Sequence, residues 1–144
     1  MTHEASWTQA RRALHAVIGE ECPFGERIST ATLERLLHER GLSHWRPLER
    51  QGEDDERILD EIIAALITDA VEPDDSAPVI VVTDESYLKT GTPFGLRWGE
   101  LRAFAASFLA THADTLFGCD VLIMVGRHVV FVHHEGFFIV LASS

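Results

Sequence analysis

Apolar residues recur at helical spacing through the first half of the chain and at strand spacing beyond it. Trp7, Ala10, Leu14, Val17 and Ile18 share one helical face, which predicts an amphipathic helix over residues 5–20. Cys22-Pro23-Phe24-Gly25 supplies breaker chemistry after it. Ser29 or Thr30 is placed to cap a second helix, with Leu33, Leu36 and Leu37 on one face and Gly41 as its C-terminal stop. Residues 43–52 read as an irregular connection that Trp45 anchors to the core. The third helix has the clearest pattern. Ile58, Leu59, Ile62, Ile63, Leu66 and Ile67 form a continuous stripe expected to point inward, leaving Asp60 and Glu61 on the outer face. VEPDDSAP, residues 71–78, is a linker by composition.

Val79-Ile80-Val81-Val82-Thr83 is a β-branched run expected to be a buried strand, and Phe94, Leu96 and Trp98 alternate as a second, short extended piece. Gly99 opens a helix with Leu101, Phe104, Ala105, Phe108, Leu109 and His112 on one face. Three apolar strands follow at residues 120–125, 128–134 and 137–141. Gly126-Arg127, suited to a type II′ turn, separates the first two, and Glu135-Gly136 separates the second two. Val129 and Phe131 point one way and Val130 and Val132 the other, so both faces of this meander need covering. The pattern predicts an α+β fold: a mostly antiparallel sheet, with the C-terminal meander in its interior, packed by about four helices.

At 144 residues the chain has the length of one domain, which typically takes roughly 100–200 residues. An acidic helical half (1–75) and a mixed half (76–144) divide it. Apolar residues make up 46% and charged residues 24%, so a packed core is affordable and disorder is disfavoured. No apolar run approaches the roughly 20 residues of a membrane helix. The opening MTHEASWTQARR lacks the order of a secretion signal, and two cysteines do not make a disulfide framework; together they lead to the expectation of a cytoplasmic protein. The net charge is -11. Residues 1–75 hold 17 acidic and 8 basic side chains, against 6 and 4 in the remainder. Such a field repels nucleic acid and anionic lipid and attracts a basic partner. Glu53, Asp54, Asp55 and Glu56 sit where a helix N-terminus welcomes anions. That reason does not extend to Asp60 and Glu61, nor to Asp69, Glu72, Asp74 and Asp75 past the helix end, which are the stronger partner-binding candidates.

Phosphate-loop, dinucleotide, HExxH and paired CxxC motifs are absent from the sequence. His133-His134-Glu135 is the most conspicuous polar cluster. On a strand, neighbouring side chains point to opposite faces, so His133 and His134 are not expected to share a metal, and no stoichiometric zinc is expected. They are read first as hydrogen-bonded residues at a hairpin end and second as partner contacts. An enzymatic alternative uses His112, Cys119, His133 or His134 in a small metal-dependent or hydrolytic site, but no nucleophile stands at a recognisable elbow. Cys119 reads as a small buried hydrophobe, and Asp120 as a turn or hairpin acceptor. No cofactor is expected, and no catalytic residue is assigned.

The order VIVVTDESYL, LRWGELRAFAASF, FGCDVLIMV and VVFVHHEGFFIV, with the strand start Gly118-Cys119-Asp120 and the HHEG hairpin from His133 to Gly136, resembles small immunity proteins. These are encoded beside bacterial polymorphic toxins of the contact-dependent inhibition and Rhs types. The resemblance covers about residues 79–141, and residues 1–75 add no matching motif. It implies a non-catalytic protein that binds the C-terminal domain of one cognate toxin, often a basic nuclease, in the cytoplasm. A third possibility is an adaptor that binds a chromosomal protein. Oligomeric state is left open.

Overall fold

The computed structural model describes residues 2–19, 24–69, 71–88, 91–112 and 114–143. Cys22 and Pro23, expected to end the first helix, lie outside the described residues.

Among the described residues, four α-helices form where the apolar periodicity runs, three of them behind a side-chain cap. α1 (Trp7–Ile18) begins with a capping box: the Gln9 N–H donates to Ser6 Oγ at 3.1 Å, and the Ser6 N–H donates to Gln9 Oε1 at 2.9 Å. α2 (Thr30–Glu39) is capped by Ser29 and α3 (Asp55–Thr68) by Asp54. α4 (Leu101–Thr111) follows a 3-10 turn at Trp98–Glu100.

Among the described residues, seven strands pair into one antiparallel sheet. They are β1 (His3–Glu4), β2 (Arg46–Pro47), β3 (Pro78–Val82), β4 (Phe94–Arg97), β5 (Val121–Val125), β6 (His128–His133) and β7 (Phe137–Ala142), in spatial order β1-β4-β3-β5-β6-β7-β2. The fold is α+β, with β5, β6 and β7 adjacent. The two edge strands come from the acidic half, so the compositional break near residue 75 does not divide the sheet.

Strand alternation sorts the core into two layers. Val79, Val81, Val121, Ile123, Val130, Val132 and Phe138 pack against α3 and α4. Val82, Leu122, Met124, Val129, Phe131, Ile139 and Leu141 pack against α1 and α2. Helices therefore cover both faces, as the apolar pattern required. Val130 and Phe131 have no solvent exposure.

Several boundaries differ from the sequence expectation. Thr83 leaves the sheet and caps a 3-10 turn at Asp84–Ser86. Trp98 begins a turn rather than ending a strand. Ile67 and Leu109, both expected inward, are 55% and 54% exposed. They sit at the margins of stripes whose centres are already filled. The β5–β6 connection is the two-residue Gly126-Arg127, with Gly126 at φ 57°. The β6–β7 turn has three residues, His134 to Gly136, because His133 pairs with Phe137. Gly136 takes φ 99° there, a backbone state that side chains disfavour. No helix among the described residues is long and apolar enough to cross a membrane.

Candidate functional site

The acids of residues 53–75 have divergent fates. Asp54 accepts the Arg57 N–H at 3.0 Å as the α3 cap, and Glu53 lies 3.6 Å from Arg50 and 3.8 Å from Arg57. Asp55 turns inward. It is 6% exposed, and its two oxygens accept the Leu116 and Phe117 N–H groups at 2.7 and 3.1 Å. It pins the 3-10 turn Leu116–Gly118 to the start of α3 and presents no charge to a partner. Glu61 accepts the Glu49 and Arg50 N–H groups at 2.9 and 2.8 Å, so it clamps the connection before α3. Asp60 is exposed but engages Arg102 of α4. Asp69, which no dipole argument explained, pairs with Arg46 of β2 at 2.7 Å. Asp60, Glu61 and Asp69, the stronger partner candidates, thus each make a contact within the fold, while Asp60 and Asp69 stay exposed. Glu56, Glu72, Asp74 and Asp75 are exposed. Asp74 accepts the Ser76 hydroxyl at 3.1 Å.

Between the N-terminus of α3 and α4 lies a groove of about 240 Å³ lined by Asp54, Asp55, Glu56, Ala105, Ala106, Leu109 and Thr115. Its floor is apolar, with Leu109 half exposed, and exposed carboxylates stand on one side.

A second constellation sits at the β6–β7 turn, at one end of the sheet. His134 has left β6, and its ring folds back over His133, with centroids 4.4 Å apart and 23° between planes. The expectation that the two histidines diverge is therefore wrong: strand alternation ends at His133, and the turn redirects its neighbour. Asp120 Oδ1 accepts both the His134 N–H at 2.9 Å and His134 Nδ1 at 2.7 Å. His133 is buried, stacked on Phe137 at 4.4 Å and 11°, with Nε2 3.2 Å from Glu34 Oε2. Its Nδ1 accepts the Glu135 N–H at 3.1 Å, which leaves its proton on Nε2, facing Glu34. Glu135 is exposed, its carboxylate 3.9 Å from His134 Nε2.

Electrostatics follow the geometry. Burial pushes the Asp120 carboxyl up, but hydrogen bonds from the His134 N–H and ring outweigh it, with smaller help from His133 and Thr30, so Asp120 is held below its ordinary value. The bond to Asp120 raises His134. Asp84 is raised, first by burial and then by the charges of Asp120 and Asp114. Burial pushes the Cys119 thiol up to about 12 and keeps it protonated at neutral pH. Its sulfur donates to the Leu116 carbonyl at 3.5 Å. His112 is elsewhere, stacked on Phe108 at 3.9 Å and 13°, with Nδ1 2.9 Å from the Phe108 carbonyl. Of the four residues of the enzymatic alternative, His133 and His134 stack on each other, while His112 stacks on Phe108.

Sequence reasoning missed Glu34 and the acceptor role of Asp55. Glu34 lies 99 residues from His133 and carries no local signal. Asp55 did carry one, since it precedes Ile58 and Leu59 by three and four positions and therefore lies on the buried stripe. Compared with known proteins, the chain matches no family model, no curated protein and no solved structure.

Proposed function

We propose that the chain is a binding protein for a basic protein partner, and specifically an immunity protein that neutralises the C-terminal domain of a polymorphic toxin in the cytoplasm. The observation that carries this reading is the α3–α4 groove. A half-exposed leucine and two alanines lie beside the exposed Asp54 and Glu56. Long basic side chains fit such a surface: the aliphatic stem packs on Leu109 and Ala106 while the cationic head meets the carboxylates. The net charge of -11 supports electrostatic steering of a basic domain toward this face.

The Cys119 thiol of the enzymatic alternative is held protonated by burial, which favours binding over nucleophilic hydrolysis at that residue. The test is co-expression with the toxin domain encoded beside this chain. The reading expects restored growth and a purifiable complex, weakened by Leu109→Ala and Glu56→Gln. No complex and no protection would overturn it. Binding to a basic chromosomal protein without protection would favour the adaptor reading.

A further inference from the structure

The hairpin cluster has a role that partner binding at the α3–α4 groove does not use. We propose that Asp120, His133 and His134 form a binding site for a divalent transition-metal ion of the zinc class. One donor atom from each residue lies within 4.8 Å of the other two, the one such grouping among the described residues. Two imidazoles and a carboxylate are the donor set that favours zinc, cobalt, nickel or copper over magnesium or calcium.

The surroundings pre-organise the donors. His133 already has a carboxylate, Glu34, on Nε2, the ring nitrogen that the metal does not take. Ligand histidines are oriented in this way by a second layer of acceptors. His133 is wedged between the rings of Phe137 and His134. Asp120 is fixed by the His134 backbone N–H.

Tetrahedral ligands about 2.0–2.1 Å from an ion stand roughly 3.3 Å apart. Donors up to 4.8 Å apart must therefore draw in by roughly 1.5 Å at most. His134, with half of its side chain exposed, is the member with room to do so. The ion takes the place of the proton on the His134 Nδ1–Asp120 contact, and His133 Nδ1 exchanges its weak bond from Glu135 for the metal. Three protein donors leave the fourth position to water.

The probe is zinc chloride titrated calorimetrically into the tag-free full-length chain, with cobalt(II) absorption as a second readout. The proposal expects one ion per chain, and at least a tenfold loss of affinity in both His134→Gln and Asp120→Asn. His112→Gln, outside the cluster, should bind like the parent. His134→Gln lies on an exposed turn, and circular dichroism of each variant separates lost ligation from lost folding. No binding up to millimolar ion, or equal binding by the parent and both cluster variants, would overturn the proposal and leave the histidines as a hydrogen-bonded hairpin end.

Discussion

Asp55→Ala isolates one acidic side chain whose purpose is internal. The carboxylate accepts two buried backbone N–H groups, from Leu116 and Phe117. Alanine leaves both donors without an acceptor, at about 1–3 kcal/mol for each orphaned buried group. Part of this is offset because a buried carboxylate is no longer desolvated. The expected loss is about 2–5 kcal/mol, and for a chain of this size each kcal/mol lowers Tm by roughly 2–4 °C. Asp55→Asn keeps one acceptor oxygen and should lose about half as much. Urea denaturation followed by tryptophan fluorescence gives the midpoint and slope for the three proteins. An Asp55→Ala midpoint within about 0.5 kcal/mol of the parent would refute the buried-acceptor reasoning. It would return Asp55 to the exposed acids available to a partner.

Three further outcomes follow from the same structure. Val130→Asp and Phe131→Asp place unpaired charges at fully buried positions on opposite faces of β6, and each should destabilise by several kcal/mol in urea melts; parent-like melting of either would contradict a doubly covered sheet. Gly136→Ala meets both a φ of 99° and the Gln51 side chain, so it should lose at least about 1 kcal/mol, whereas an unchanged melting temperature would show that the turn relaxes freely. The Asp84 carboxyl is raised in the fold above its ordinary value of 3.8, so its contribution to stability is present below that pH and is lost as pH rises through the folded value. Asp84→Asn should therefore gain stability relative to the parent between acid and neutral pH, and parallel pH–stability curves would remove the crowding by Asp114 and Asp120 from the account.

The meander was legible because β5, β6 and β7 are apolar on both faces, and such strands must be covered on both sides. β1 and β2 were not legible, since two residues carry no periodicity and their pairing is set by partners far along the chain. Of the acids, the outward reading of Asp60 was correct in direction, but its engagement by Arg102 depends on how α3 packs on α4. Asp69 and Arg46 are similarly joined by tertiary packing. The histidine pair was misjudged through one residue of strand length. β6 stops at His133, and His134 belongs to a three-residue turn whose geometry Asp120 fixes.

Stopped-flow association with the partner proposed above, a basic toxin domain, at two salt concentrations, tests the central claim most directly. Asp54→Asn retains a good helix cap and Glu56→Gln retains side-chain size, so the doubly substituted protein should fold like the parent. The parent should associate fast at low salt and slow steeply as salt rises, while the double variant should associate more slowly at low salt and respond less to added salt. Identical rates and salt dependence for both proteins would contradict an acidic α3–α4 groove as the surface that receives a basic partner.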